Sequence, residues 1–315
     1  MSHALNYFST FSGIGGFEAA IQSVDSKAVC VGYSEINKYA DKIYRRHFPS
    51  HFNYGDIKTI DPASLPGFDL LIGGFPCQAF STAGKRGGFD DTRGTLFFEV
   101  ARIVREKQPR LLLLENVKGL LSHDKGRTFA TIITTLDELG YDCQWQVLNS
   151  KNHSVPQNRE RVFIIGHLRG TPRPEIFPLQ EYANPLIAKS GKQASNAVVS
   201  GTLTATDAKM HLDGNYVIPV LTPDRARKRQ NGRRFKTDGE PSFTLTAQDK
   251  HGIYAKSCIR RFTHTECERL QGFPDGWTEG ISDTQRYKCL GNAVTVTVIQ
   301  AILPRLLFTS HKRPD

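Results

Sequence analysis

In the first 170 residues, short apolar, β-branched-rich runs alternate with stretches of helical spacing. The runs Leu5–Phe8, Ala28–Tyr33, Asp69–Gly73, Arg110–Leu114, Gln144–Leu148 and Arg161–Gly166 predict strands. Helices are predicted at Phe17–Val24, Lys38–His47, Leu96–Lys107 and Thr128–Leu139. Strands separated by helices of this length imply βαβ crossovers, so the pattern predicts an α/β fold with a parallel sheet and helices on both faces. Such sheets bind ligands at the carboxyl ends of their strands, near the point where the strand order reverses. After Gly170 the periodicity weakens and Pro172, Pro174, Pro178 and Pro185 interrupt the chain. Two segments there echo each other, Thr202–Lys209 and Thr244–Lys250, each read as a short strand followed by a turn. A last apolar helix is predicted at Ala293–Leu307, dense enough in hydrophobic positions to pack back onto the first domain. The predicted organisation is therefore one domain of residues 1–170 plus 280–315, with a smaller, irregular domain, 171–279, inserted into it.

Composition narrows the class. The 315 residues are 39% hydrophobic and 23% charged, ordinary globular usage, which excludes wholesale disorder and fibrous repeats. The longest apolar runs, Leu111–Leu114 and Ile299–Phe308, are too short or too interrupted to suggest a membrane span, and Met1–Phe11 lacks the pattern of a signal peptide. The six cysteines, at 30, 77, 143, 258, 267 and 289, form no CxxC pair, which argues against a zinc site or a disulfide framework and for reduced thiols in the cytoplasm.

Charge is unevenly placed. Residues 171–265 hold 15 Lys+Arg against 8 Asp+Glu, a net of +7 within a chain total of +10. Asp224–Lys236 alone carries seven cations and one anion, including Arg225, Arg227, Lys228, Arg229, Arg233 and Arg234. A solvated loop is the bland reading. The breadth of the asymmetry, and Asn, Gln and Arg side chains that can reach base edges, favour a polyanionic partner.

Four segments carry candidate chemistry. Phe11-Ser-Gly13-Ile-Gly15-Gly16-Phe17 lies between a predicted strand and helix, where glycines permit close approach of a ligand. Glu35 follows at the end of the next strand, placed to bind ribose hydroxyls, and Asp56 sits in a later turn where it could accept from an adenine amino group. Glu18 stands where a dinucleotide fingerprint needs its third glycine, which disfavours NAD. Cys77, in Gly73-Gly-Phe-Pro76-Cys77-Gln-Ala-Phe-Ser81, is flanked by Pro and Gln and reads as a nucleophile, whereas Cys30 and Cys143 lie in apolar strands and read as core thiols. The loop that follows carries Lys85, Arg86 and Arg93 and suggests a lid over an anionic substrate. Glu115, after the apolar strand, is placed to serve as an acid, with a helix cap or surface carboxylate as the alternative. In Gln157-Asn-Arg159-Glu-Arg161, two arginines two apart in an extended segment share a face, so both address one site or form a salt-bridged strand edge.

Taken in order, Phe11–Phe17, Gly73–Ser81, Gly94–Glu99, Glu115–Val117, Gln157–Arg161, Arg260–Pro274 and Gly291–Val294 resemble the motif set of the bacterial cytosine-C5 DNA methyltransferases, the methylases of type II restriction–modification systems. The resemblance spans the chain except about 171–255, where that family keeps its variable target-recognition domain. It implies a Rossmann-like sheet that binds S-adenosylmethionine, and methyl transfer to C5 of a cytosine flipped from a short specific sequence of double-stranded DNA. It also implies a covalent Cys77–C6 adduct, with Glu115 at N3 and the amino group, Arg161 at O2 and Arg159 supporting the site. For the cofactor it implies Phe11 stacked on adenine, Glu35 on ribose, Asp56 and Ile57 flanking the adenine, and Gly13 and Gly15 along the methionine portion. Pro76, Leu96 and Asn292 complete that pocket, and Thr244-Leu245 resembles a pair that lies near the DNA. One departure is Ser9, where many members carry an acid. The enzyme is expected to need no metal, to act as a monomer, and to have a separate cognate endonuclease if it has one. The competing readings are the related tRNA cytosine-C5 methyltransferase and a sequence-specific DNA-binding protein that has lost catalysis.

Overall fold

The computed structural model describes residues 4–76, 96–179, 218–224, 233–255 and 258–308. The chain packs as two compact units, one of Met1–Leu148, Glu160–Leu179 and Ile302–Asp315, the other of Asn149–Arg159 and Gln180–Ala301. This division differs from the boundaries read from the sequence at 149–159, 171–179 and 280–301.

The first unit is built on a six-stranded sheet. Its strands are β1 (Asn6–Thr10), β2 (Val29–Ser34), β3 (Leu70–Gly74), β4 (Leu111–Val117), β5 (Tyr141–Asn149) and β6 (Glu160–Leu168), in the order β2-β1-β3-β4-β6-β5. Helices α1 (Gly16–Val24), α2 (Lys38–His47), α3 (Leu96–Lys107) and α4 (Arg127–Glu138) connect them as predicted. Pairing is parallel from β2 through β4. The all-parallel expectation fails at β6, which runs antiparallel to β4 with Leu112 opposite Gly166 and Glu115 opposite Phe163. The reason lies in the connection: Ser150–Arg159 is too short to hold a crossover helix, so the chain leaving β5 turns straight back. Leu111–Leu114 are all buried, as a central strand covered on both faces requires. After β1 the chain goes first to one side, to β2, and later to the other, to β3. The loop Phe11–Gly15 therefore opens at the reversal of strand order.

Beyond β6 an irregular segment, Pro174–Leu179, is bonded almost wholly by side chains. Gln144 on β5 accepts from the Ile176 and Phe177 amides and donates to the Pro174 carbonyl at 2.9 Å, and Gln146 accepts from the Leu179 amide. Arg305 donates to the carbonyls of Ile176 and Pro178. Ile176, Phe177 and Leu179 are buried.

The second unit contains an antiparallel sheet of β7 (Ile218–Leu221), β8 (His251–Ala255) and β9 (Cys258–Arg261). Helix α5 (His264–Leu270) follows, started by a capping box between Thr263 and Glu266, and then α6 (Asp283–Asn292). The strand expected at the head of Thr244–Lys250 is not formed; that segment is irregular until β8 begins at His251. Thr202–Lys209 lies outside the described residues. The last helix, α7 (Val296–Phe308), starts three residues later than predicted because Ala293 is extended and ends α6. The stretch Asp283–Phe308 is long and apolar enough to cross a membrane by composition, contrary to the reading of the sequence. It is broken between α6 and α7 and mostly buried, as a core element is.

Candidate active site

Helix α1 begins at a loop that cannot be built from ordinary residues. Gly15 has φ 84°, and a Cβ there would lie 2.5 Å from a ring carbon of Phe48. Phe11 is itself held at φ 51°, strain of the kind that persists where the surroundings over-determine a conformation. The Gly13 amide donates to Glu35 Oε2 at 2.8 Å and the Asn37 amide to Oε1 at 2.7 Å. Burial holds the Glu35 carboxyl above its ordinary pKa, while these backbone donors pull it back down. Asn53 joins the two candidate cofactor acids. It accepts from the amides of Glu35 and Gly55, the residue before Asp56, and donates to the Glu35 carbonyl. Asp56 caps the turn Ile57–Thr59, accepting from the Lys58 amide. The Ile57 side chain is buried in the core, and its carbonyl accepts from the Arg102 guanidinium at 2.9 Å. Ile36, next to Glu35, is 74% exposed, an apolar side chain left open beside a ribose-type acid. A carboxylate for a diol, a second for an exocyclic amine, glycine backbone and open apolar surface together suit a nucleoside that carries an amino-acid tail.

Glu18, read from the sequence only as a broken fingerprint, is fully buried in α1. Burial pushes its carboxyl up to about 7; the hydroxyls of Ser9 and Tyr44 face it, and Glu35 acts on it from a distance. No ion pair joins it among the described residues. This explains Ser9 physically: an acid at position 9 would set a second negative charge against the buried Glu18.

At the carboxyl end of β4, Glu115 Oε1 meets Arg161 Nε at 2.9 Å, with side chains 12% and 16% exposed. The antiparallel ladder brings them together, because it sets Val117 opposite Arg161 and Glu115 opposite Phe163. Gly74 pairs with Glu115 on the other side, and a Cβ there would stand 3.0 Å from Glu115 Oε2. Asn116, buried, donates to the Phe75 carbonyl at 2.8 Å and so fixes the chain just before Pro76 and Cys77. Cys77 itself lies outside the described residues, as do Lys85, Arg86 and Arg93. Burial pushes the thiols of Cys30 and Cys143 up to about 12, too high for a nucleophile at neutral pH.

Arg159 does not share a face with Arg161. Strand β6 begins only at Glu160, and the Arg159 amide bonds back to the Gln157 carbonyl, so strand alternation does not extend to it. It is 2% exposed, and its guanidinium donates to the carbonyls of Leu245, Gly291 and Ala293. Leu245 is buried, Thr244 half-buried and Asn292 exposed. In the basic segment, Arg225, Arg227, Lys228 and Arg229 lie outside the described residues. Arg233 is paired with Glu240, and Arg234 lies over the half-open ring of Phe235 at 5.1 Å. Asn53 and Ile36 are site residues that sequence reasoning missed, and Asn116 was read only as part of the Glu115–Val117 motif, with no role of its own.

A loop suited to a nucleoside after β1 and an acid near the end of β4 lie at the same end of one sheet, an arrangement suited to moving a group from a bound nucleoside to a second substrate. Comparison with known proteins gives that group. The chain belongs to the C-5 cytosine-specific DNA methylases, whose family model matches residues 5–307, and it is a methyltransferase. It is 40% identical over 316 residues to the type II methyltransferase M1.ScrFI of Lactococcus lactis subsp. cremoris, covering 96% of this chain and 78% of that protein. With the type II methyltransferase M.HpaII of Haemophilus parainfluenzae it shares 38% identity, over 96% of this chain and 88% of the relative. The orphan methyltransferase M.SPRI of Bacillus phage SPR is 35% identical over 97% of this chain and 98% of its own. Among solved structures, the Dnmt2 methyltransferase of S. pombe has the same fold, with a TM-score of 0.63 at 18% identity over 96% of this chain and 98% of that one.

Proposed function

We propose that the enzyme transfers a methyl group from S-adenosylmethionine to C5 of a cytosine flipped out of double-stranded DNA, through a transient bond between Cys77 and C6. The observation that carries this reading is the Glu115–Arg161 pair at the sheet end, beside the Asn116 contact that fixes the approach to Cys77. S-adenosylmethionine, when bound, supplies an electrophilic methyl group. Glu35 would hold its ribose and Asp56 its adenine amino group, with Phe11 and Ile36 on the ring, Gly13 and Gly15 along the tail, and Pro76 and Leu96 completing the pocket.

Cytosine C5 is a weak nucleophile until C6 is attacked. The Cys77 thiolate adds at C6, and the displaced electron pair is drawn toward N3 and O2. Glu115 donates a proton or hydrogen bond at N3, and Arg161 donates to O2. C5 would then bond to the methyl carbon as the methyl–sulfonium bond breaks, its electron pair staying on sulfur, which leaves S-adenosylhomocysteine. A base removes the C5 proton, and Cys77 departs as the C5–C6 double bond is restored. A stacked base exposes neither face of C6 to a thiolate, hence the flip. We assign recognition of the DNA sequence to 180–279, with Lys85, Arg86 and Arg93 contributing to the substrate site. The type II relatives support a restriction–modification type of enzyme, and we propose that it protects DNA in the cytoplasm against a separate endonuclease.

The test is a duplex carrying 5-fluorocytosine at the site mapped by bisulfite sequencing of DNA from expressing cells. Wild-type enzyme should form a denaturant-resistant adduct, because fluorine cannot leave as the proton does. Cys77→Ser should form none and lose turnover, yet bind S-adenosylhomocysteine normally. A Ser variant that still methylates would overturn the covalent route.

A further inference from the structure

Beside the Glu115–Arg161 pair, the same strand ends carry a second ion pair with its charges reversed. Lys118, the residue after β4, donates from Nζ to Glu160 Oε1 at 3.0 Å and Oε2 at 2.9 Å, and Glu160 opens β6. Val117 opposite Arg161 is the last pair of the β4–β6 ladder, so Lys118 and Glu160 come next on either strand. The two ion pairs share a peptide: Arg161 Nε meets Glu115, and Arg161 Nη1 donates to the Glu160 carbonyl at 2.8 Å. They differ in their access to water. The inner side chains are mostly buried, whereas Lys118 and Glu160 are 55% and 43% exposed. All of these residues belong to the sheet-bearing unit.

An exposed ion pair is worth little, because water screens it and two long side chains lose freedom to form it. Its partner can therefore be exchanged at small cost. A duplex phosphate offers the ammonium another charged acceptor, and neutralising it releases a condensed counterion, a gain that Glu160 cannot supply. Ring chemistry says where such a phosphate would lie. In cytosine, O2 is borne by C2, and C2 is bonded to N1, the atom that carries the sugar. The group that holds O2 is thus the one next to the sugar and its phosphates. In the proposed function that group is Arg161, and its guanidinium rests on the peptide of Glu160.

We infer that Lys118 binds a backbone phosphate of the flipped nucleotide, taking it in exchange for Glu160, which holds the lysine in place while no duplex is bound. The inference rests on the proposed function, in which Arg161 meets O2. Glu160 then opposes binding twice over, as the lysine's competing partner and as a negative charge beside the phosphate. The two members of one ion pair should therefore change duplex affinity in opposite directions. A pair that served only to hold β4 against β6 would not do this.

The test combines steady-state methylation of a duplex carrying the mapped site with fluorescence-anisotropy binding of the same duplex across a series of potassium chloride concentrations. Lys118→Gln should raise KM for duplex about tenfold, the low end for a hydrogen bond to a charged group, with the larger part of the effect in KM and not in kcat. Its plot of log K against log salt should flatten by about 0.9, the signature of one phosphate lost. Glu160→Gln should lower KM by up to about fivefold, the strength of a good surface pair. Lys118→Arg keeps the charge and should keep the wild-type slope. Calorimetric titration with S-adenosylhomocysteine checks that each variant is folded, since neither exposed side chain is part of the cofactor site. A Glu160→Gln enzyme whose KM rises, or a Lys118→Gln enzyme with the wild-type slope, overturns the inference. Failure of the underlying function looks different: wild-type enzyme would show neither methylation of the duplex nor the 5-fluorocytosine adduct, and the inference would fall with it.

Discussion

Two regions, each built around an arginine of the same five-residue motif, are wired in opposite ways. At the end of β4, Arg161 pairs with the Glu115 carboxylate and donates to the Glu160 carbonyl, and the pair keeps some solvent contact. Around Arg159 a guanidinium is enclosed by main-chain carbonyls and nearly all solvent is excluded. The first arrangement can exchange its partner for a substrate without leaving the protein unsatisfied. The second cannot, since removing the side chain strands several buried acceptors at once. Proximity in sequence therefore says little about role; the number and kind of partners says more.

Substitution at the two places should separate activity from stability. Glu115→Gln is expected to lower kcat by about 10²–10⁴-fold, the usual worth of a positioned acid, with little change in the urea midpoint. Arg159→Ala should do the reverse at equilibrium, costing at least about 3 kcal/mol of unfolding free energy, since each stranded buried group costs roughly 1–3 kcal/mol. An Arg159→Ala protein of wild-type stability that has lost only turnover would erase the contrast.

Glu18 sharpens it, as a buried acid with neither arrangement. Its folded pKa is raised to about 7 from an ordinary 4.5, so its contribution to stability is fully present below the ordinary value and is lost as pH rises through about 7. Glu18→Gln should therefore stabilise the protein at pH 8 by up to about 3 kcal/mol and give no gain at pH 4, by denaturant titration at both values. Equal effects at the two would mean that packing, not charge, governs the position.

Smaller effects are expected where partners lie in solvent. Glu35→Ala should weaken S-adenosylhomocysteine binding by roughly 1.5–3 kcal/mol in calorimetry, the worth of a charge-assisted contact. In wild type the same contact needs the ionised carboxylate. Burial raises that carboxyl, so acidification should release the ligand at a higher pH than an ordinary glutamate would allow. The smallest signal is in the basic segment. Neutralising Arg225, Arg227, Lys228 and Arg229 should flatten the dependence of log K for duplex on log salt by about 0.9 for each phosphate no longer neutralised.

Much of the first unit was legible because its strands are apolar runs bounded by turns and its helices carry one apolar stripe. Direction was not: β6 is a continuous buried run, Val162–His167, that reads the same whichever way the strand runs, and only the shortness of Ser150–Arg159 betrays the reversal. The misreading of Arg159 came from extending strand alternation one residue beyond the strand. The roles of Asn53 and Asn116 were illegible for another reason, since an amide that bonds a distant backbone leaves no local pattern. Glu18 was weighed as a missing glycine, whereas its burial depends on neighbours from β1 and α2.

The ledge Pro174–Leu179 bears on how such enzymes can be re-engineered. Three side chains, Gln144, Gln146 and Arg305, satisfy its backbone, and all belong to the sheet-bearing unit. The rivet is complete at Leu179, the last residue of that unit before the inserted region. A graft joined after Leu179 inherits a fixed starting point and makes no demand on the sheet. Exchange of the sequence beyond it, even for one of different length, should leave the catalytic scaffold folding as before, which makes this position a natural splice junction for building chimaeras.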